Sequence, residues 1–590
     1  MHRLAGKNFA SFRTVFLIIV ILWIFVAVYF LSSGIRTESS TQESCGALSS
    51  AVDRLQRRTD ESSARLRETL ELVEHLKKQS KERGNQVPSD SAAVDIGLSH
   101  EILRRRSVNY AREIWYTTSK QLDKLRQKLA EDNKNPDKEL VNMVDSIRGQ
   151  LSNITLSLMV DLDGLGRVDG LAASNIRGLT QLSRLVQNRL TALQNPSNCA
   201  TSKFLIVSLN RPCAFGCNVH HLVYCFQMAY ATGRTLLIGH DSSPYSSWWE
   251  RNFEPLSNKC NSTHAQDTHG NVHSENIQGT DRTVVCPYIC NFDGKLGILP
   301  PAIPEDLATA LNRFHDYPSV WFIGQLLYYL MRPKPHLQRM LDELLSSYGM
   351  TSPHHSPVVG IHVRRTDKIN TEAQFHSLRE YMVYVDRYFD FIDEQRRMMA
   401  RNKEWVDDAL AVGNSSTSKV VRQVFIATDE PSVFQEAKTE FPNYIFYGDT
   451  HRAESASVGQ RRGDNSILGI AVDIILLSRT DYIVCTFSSQ VCRVSYELMQ
   501  TRHQELGDAS SLVQSLDDVY YFGGQQSNPF EVVVGDTRAQ RGELVHMRGN
   551  HWDGYSLVEN VDGGGSHLIP SYKLRRRIIT ARMGNRIQQP

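Results

Sequence analysis

Between residues 204 and 487 the chain alternates short β-branched runs with helix-like stretches, and this limits the fold more than any other feature. The runs are FLIVSL, TLLIGH, VVGIHV, VFIATD and YIVCTF. Strands that alternate with helices form a parallel sheet covered on both faces. In such sheets ligands collect beyond the carboxyl ends of the strands. Three of these ends carry suggestive residues: His362 to Lys368, Asp429 with Glu430, and Ser488-Ser489-Gln490.

The chain has 590 residues, too many for one core, so three or four structural units are expected. A formal charge of +2 is too near neutral for bulk nucleic-acid binding, and no nucleic-acid partner is expected. Val15 to Leu31 is an unbroken apolar run, preceded by Arg3, Lys7 and Arg13 and followed closely only by Arg36. This pattern predicts a cytoplasmic tail over 1–14, a signal-anchor over 15–33 and everything beyond it in a lumen. A cleaved signal peptide is the competing reading, since Ser32, Ser33 and Gly34 suit a peptidase. The shortness of the span fits the thinner membranes of the early secretory pathway.

Residues 34–100 read as a polar stem, with Leu48, Val52, Leu55, Leu66, Val73 and Leu76 near heptad spacing. Over 101–196 the helical period gives a helical, coiled-coil region, broken at Asn135-Pro136 and ended by Asn195-Pro196. Its role reads as scaffold or dimer interface. The last 70 or so residues read as a small β-barrel. Ten cysteines, none at C-x2-C spacing, suit disulfides in an oxidising lumen. Sequons at Asn153, Asn261 and Asn414 are compatible with export.

Arg364 and Arg365 follow the VVGIHV strand, where planar, permanently charged forks suit a phosphate. Fixed cations aimed at a diphosphate leaving group lower the barrier to its departure. A pair of surface salt bridges is the plain alternative. Ser488-Ser489-Gln490 stands at a helix start, where hydroxyls cap free amides and the dipole favours an anion. Cys485 and Cys492 flank that turn. Asp473 is one acid in an otherwise apolar helix face, and either guanine or an arginine would satisfy it. Glu372 is placed to take a proton from a sugar hydroxyl, with Lys368 keeping it ionised. Asp161 and Asp163 have the D-x-D spacing of some metal sites but fall in the helical region, where solvated charges are expected. His220-His221, near Cys217 and Cys225, reads as core or cleft histidines among disulfides rather than zinc ligands.

The stretches HVRRTDK, CTFSSQVCR, SLDDVYYFGGQ and GNHWDGYS, in this order, closely resemble the α1,6-fucosyltransferases that add core fucose to N-glycans. The similarity runs from about residue 100 to 580 and is densest over 357–525. It implies an α/β, GT-B-like catalytic domain over 197–516 with a Rossmann-type parallel sheet. It also implies an SH3-like β-barrel over 522–585 and a type II, single-pass Golgi membrane enzyme. The donor would be GDP-β-L-fucose and the acceptor the 6-hydroxyl of the Asn-linked GlcNAc of N-glycan glycoproteins. The reaction would be inverting, with no metal and no cofactor, and the chain a homodimer through its helical region.

By the same resemblance Arg364 and Arg365 would bind the diphosphate, and Glu372 would be the base supported by Lys368. His362 and Asp473 would contact guanine, Tyr245 the ribose, and Ser489 with Gln490 the phosphate side. Asp367 and Tyr381, in the lid region, and Asp429 with Glu430, at the next strand end, would also be donor-binding. Asp517, Asp518, Gln525 and His551 would face the glycan. Disulfides Cys199–Cys260, Cys213–Cys217 and Cys485–Cys492 are implied, with Cys225 paired to Cys286 or Cys290. Departures are Glu430 for a second aspartate, Ser208 for a cysteine, and an insert near 402–419. Asp553 replaces a second barrel tryptophan, which speaks against capture of proline-rich peptides. Two other readings stand beside this one: a fucosyltransferase with the same donor site and another acceptor, and a non-enzymatic lumenal adaptor or lectin.

Overall fold

The computed structural model describes residues 97–131, 138–239, 243–265, 281–287, 297–351, 356–369, 373–401, 419–523, 529–535, 539–550, 552–561 and 565–584. Two compact units divide the chain, Met1–Val94 and Asp95–Pro590, and every described residue lies in the second. The expected tail, anchor and most of the stem therefore fall outside the described residues. So do Cys45, Cys290, the sequon at Asn414 and three expected site residues, Glu372, Gln525 and His551. Among the described residues no helix is long and apolar enough to cross a membrane.

The helical region is three helices, α1 (Leu98–Glu131), α2 (Lys138–Val168) and α3 (Leu171–Gln194). On α3, Leu179, Leu182, Val186, Leu190 and Leu193 recur at helical spacing and are buried against the first half of the catalytic region. The helix stops at Asn195, ahead of Pro196, as the sequence predicts. On α2 a second apolar stripe, Leu140, Met143, Ile147, Ile154, Leu158 and Leu165, stays exposed.

A first parallel sheet has β1 (Phe204–Val207), β2 (Thr235–Ile238) and β3 (Thr283–Val285) in the order β2-β1-β3. Around it run α4 (Phe215–Thr232) and α5 (Pro244–Asn252). The chain continues through β4 (Ile303–Pro304), α6 (Glu305–Phe314), α7 (Pro318–Leu330) and α8 (Pro335–Ser347).

The second sheet holds β5 (Val358–Val363), β6 (Gln423–Thr428), β7 (Ile445–Tyr447), β8 (Tyr482–Cys485) and β9 (Val513–Ser515). Its order is β7-β6-β5-β8-β9 and every pairing is parallel. All residues of β5 and β6 are buried, as two-sided cover requires. Helices α9 (Leu378–Arg401), α10 (Ser432–Glu440), α11 (Thr450–Ser455), α12 (Asp464–Arg479) and α13 (Gln490–Met499) fill the intervals.

After it comes an antiparallel sheet of β10 (Pro529–Val532), β11 (Leu544–Asn550), β12 (Tyr555–Asn560), β13 (His567–Pro570) and β14 (Leu574–Arg576). Its order is β13-β12-β11-β10-β14, with a 3-10 turn at Ser571–Lys573 before the last strand. Finally β15 (Thr580–Ala581) pairs in parallel with β4, returning the chain to the catalytic region.

Four disulfides link described cysteines. Cys199–Cys260, Cys213–Cys217 and Cys485–Cys492 are those the resemblance implied. Cys225 pairs with Cys286, which corrects the placing of Cys290 in that bridge. Cys286 directly follows β3, and its amide donates to the Ile206 carbonyl of β1 at 2.7 Å, so the cysteine is carried on the sheet that α4 covers.

Candidate active site

The sheet order brings the three singled-out strand ends together. β5 is central, with β6 on one side and β8 on the other, all pointing the same way. Residues 364–368, 429–430 and 486–490 therefore emerge side by side at one carboxyl edge, the usual ligand position of such sheets.

Asp429 organises the loop after β5. Its Oδ1 accepts from the Arg365 amide at 3.0 Å, and its Oδ2 from the Thr366 amide at 3.3 Å. The Thr366 hydroxyl and the Arg364 guanidinium also reach that oxygen. Arg364 further donates to Thr366 Oγ1 at 2.7 Å and to Asp367. Asp367 is in turn gripped by Arg461, whose Nη1 and Nη2 donate to its two oxygens at 2.6 and 2.9 Å. These hydrogen bonds from Arg461, with Arg364 beside them, hold the Asp367 carboxyl far below the usual carboxylate range.

The two adjacent arginines part company. Arg365 turns to α10, where Nη1 and Nη2 donate to the Glu436 carboxylate at 2.6 and 3.1 Å. Its guanidinium also lies 4.9 Å above the Phe375 ring. Arg365 thus anchors the loop to the helix beyond it, and Arg364 is the fork that remains among the strand ends. Glu430 caps the turn into α10, accepting from Ser432 Oγ at 2.6 Å.

From the β8 side, Lys368 Nζ donates to the Ser488 carbonyl at 3.1 Å, joining two strand-end loops. Ser489 is the N-cap of α13, yet its side chain makes no cap bond, so it does not occupy the helix amides. The Ser488 amide donates to Asp517 Oδ2 at 3.3 Å, and the Asp518 amide to Asp517 Oδ1 at 2.6 Å. The expected acceptor-side residues Asp517 and Asp518 therefore adjoin the donor-side turn. The Gln490 oxygen lies 2.6 Å from His220 Nδ1 on α4.

His362 is buried inside β5, and that burial, with Arg364 and Lys368 nearby, pushes its imidazole down to about 3, so it is neutral. Three buried polar atoms at these strand ends have no hydrogen-bond partner, His362 Nδ1, Arg365 Nε and Ser488 Oγ. Such orphans are costly and expect a ligand or water. Asp473 on α12 pairs with Arg452 of α11, whose Nε donates to Oδ1 at 2.8 Å. Burial nonetheless raises that carboxyl to about 6. Tyr245 is buried on α5, with its hydroxyl pushed up by burial and opposed by Arg462 and Arg461. Tyr381 is buried on α9, its hydroxyl pushed up by burial and by Asp517, with Thr486 as hydrogen-bond partner.

Sequence reasoning missed Arg461. It lies 94 residues from Asp367, and its only local sign is the Arg461-Arg462 doublet ahead of α12. The two metal-like patterns are otherwise engaged. Asp163 accepts from Arg167 at 3.0 Å and from Gln395 at 2.7 Å. Among the described residues the one group of ligating side chains close enough for an ion is His221, Cys225 and Cys286, and its two sulfurs are joined. The Ala373 amide donates to the Lys368 carbonyl at 3.0 Å, and Glu372 lies outside the described residues.

Comparison with known proteins bears on most of the chain. A family model described as alpha-(1,6)-fucosyltransferase N- and catalytic domains matches residues 4–521. An alpha-(1,6)-fucosyltransferase of Drosophila melanogaster is 38% identical over 502 residues, covering 84% of this chain and 76% of that protein. One of Caenorhabditis elegans is 35% identical over 433 residues, covering 70% of this chain and 72% of that protein. A crystal structure of the NodZ alpha-1,6-fucosyltransferase soaked with GDP-fucose superposes at a TM-score of 0.28 and 17% identity, over 50% of this chain and 93% of that one. On the sequence matches, which span most of its length, the chain belongs to the α-(1,6)-fucosyltransferase family and is a glycosyltransferase.

Proposed function

We propose that the chain transfers fucose from GDP-β-L-fucose to the 6-hydroxyl of the innermost, Asn-linked GlcNAc of N-glycans, inverting the anomeric carbon and using no metal. The observation that carries this reading is Arg364, held among three parallel strand ends beside a helix N-terminus whose cap side chain is not bonded to it. The acceptor O6 attacks fucose C1 opposite the diphosphate, the C1–O bond to the β-phosphate breaks, and GDP leaves with that electron pair. Glu372 takes the O6 proton. Arg364 and the α13 amides receive the charge that grows on GDP, the office a divalent cation performs elsewhere. Arg365 serves the same diphosphate indirectly, by holding the loop through Glu436. His362, Asp473 and Tyr245 take the nucleoside, and Ser489 and Gln490 the phosphates. Asp367, Tyr381, Asp429 and Glu430 shape the loops around them, and Asp517, Asp518, Gln525 and His551 meet the glycan.

The finer architecture belongs to the same proposal. Two parallel sheets in succession support a GT-B-like catalytic domain over 197–516. The five-strand order with a 3-10 turn before its last strand supports an SH3-like barrel over 522–585. The exposed stripe on α2 supports a homodimer through the helices beyond the stem. The apolar run at 15–31 supports a single-pass type II protein of the Golgi membrane.

The test is transfer from GDP-fucose to a biantennary glycopeptide by the secreted form of residues 100–590, in EDTA. Transfer to the reducing-end GlcNAc with chelator present is expected. Loss of activity in EDTA contradicts the metal-independent step, and fucose on another hydroxyl contradicts the acceptor.

A further inference from the structure

Beneath the Ser488-Ser489-Gln490 turn runs a line of buried polar groups that the reaction as described does not use. His220, on α4 of the first half, is 1% exposed. Its Nδ1 lies 2.6 Å from Gln490 Oε1, and its Nε2 lies 3.0 and 3.1 Å from the two oxygens of Glu497. Glu497, on α13, is fully buried and also accepts from the Tyr520 hydroxyl at 2.5 Å. The Phe522 ring stands edge-on to the imidazole at 5.1 Å. Gly216, one turn before His220, admits the turn closely, since a Cβ there would sit 3.1 Å from Gln490 Cβ.

The chemistry of these contacts is directional. An amide oxygen only accepts, so Nδ1 donates to Gln490, while Nε2 faces the two Glu497 oxygens. A Gln490 amide whose oxygen is committed to that ring keeps both N–H groups to offer elsewhere. Phosphate oxygens need donors, so the orientation of this amide decides whether the turn attracts or repels a diphosphate.

We propose that His220 is a positioning residue for the donor. Through Nδ1 it fixes the Gln490 amide with its N–H groups toward the donor phosphates, and through Glu497 and Tyr520 it ties that turn to the segment carrying Asp517 and Asp518. This rests on the proposed donor site at the β8 end. It adds a contact from the first half of the catalytic region to a turn of the second.

Two substitutions separate the nitrogens. In His220→Asn the side-chain amide nitrogen falls near the place of Nδ1, and in His220→Gln near that of Nε2. Both leave a buried group short of a partner, so both lower the melting temperature. The Michaelis constant distinguishes them. His220→Gln should raise the KM for GDP-fucose about tenfold, the cost of one hydrogen bond, with kcat per folded enzyme within about twofold of wild type. His220→Asn should keep a KM within about threefold of wild type. Gln490→Ala, at a half-buried position, should match His220→Gln in KM, and the double variant should be no worse than either. Equal KM values in wild type, His220→Gln and Gln490→Ala overturn the proposal, as does an additive double variant. Calorimetric titration of wild type with GDP-fucose separates the two readings. No binding to wild type removes the donor site itself, whereas wild-type binding matched by His220→Gln removes only the role of His220.

Discussion

Asp473 offers a prediction that pH alone can test. Its carboxyl is buried, and burial raises it from 3.8 to about 6 although Arg452 donates to it. The folded protein therefore holds that proton more tightly than the unfolded chain does. The carboxyl is least costly to stability below 3.8, becomes costlier as pH rises toward 6, and is constant above; the rise corresponds to about 3 kcal/mol at neutral pH. Donor binding has the opposite dependence. The guanine edge presents an N–H and an amino group, so only the ionised carboxylate accepts both. At pH 5 about one Asp473 in ten is ionised, and the affinity for GDP-fucose should fall about tenfold from its value at pH 7.5. His362, the other residue assigned to guanine, is pushed down to about 3 and does not change charge in this range. GDP-fucose is the better probe than GDP, because its diphosphate has no group that titrates near 6. Calorimetry from pH 5 to 8 reads the effect directly. Asp473→Asn keeps an oxygen for Arg452 but loses the charge, so it should bind weakly at every pH and melt no lower than wild type at pH 7. A flat wild-type profile, or an Asn variant with wild-type affinity, refutes the guanine assignment and leaves Asp473 as the partner of Arg452.

The adjacent arginines should also behave differently. Arg364→Ala should lower kcat/KM by about 10²-fold or more with little change in melting, because Arg461 and the loop amides still hold Asp367 and Asp429. Arg365→Ala strands Glu436, whose side chain is 26% exposed, and should cost about 2 kcal/mol in a thermal or denaturant melt. Equal stability losses in the two variants contradict this division. Of the two described sequons, Asn261 should carry an N-glycan in the secreted protein and Asn153 should not. Asn261 and Thr263 are both exposed, whereas Thr155 is buried in α2 with its hydroxyl bonded to the Leu151 carbonyl. Peptide mass spectrometry after glycosidase treatment in oxygen-18 water checks this, and a modified Asn153 with a bare Asn261 contradicts it.

Much of the scaffold was legible because its signals are local. FLIV, TLLI, VVGIHV, VFIAT and YIVC are strands, and the parallel order read for them brings the three singled-out strand ends to one carboxyl edge. β3, β7 and β9 escaped notice because three residues are too few to set up a pattern, and their pairing comes from the neighbouring strand. The pairing of β15 with β4 joins segments separated by the whole second sheet and the antiparallel sheet and leaves no local trace. At the site, the sequence supplied the residues but not their partners. Two neighbouring arginines look alike on paper, while Glu436 and Asp429, brought in by the sheet, send them opposite ways. Arg461 and the His220–Glu497 line depend on contacts between distant segments, which periodicity cannot register. Cys286 rather than Cys290 bridges to Cys225 because β3 ends just before it.

Arg364 is proposed to take the charge of the departing GDP at the carboxyl edge of β5, β6 and β8. A crystal structure with bound GDP tests it most directly. The diphosphate is expected about 3 Å from the Arg364 guanidinium and within reach of the first amides of α13, with no metal between them. Phosphates bound away from Arg364, or reaching it only through a metal ion, would contradict the account.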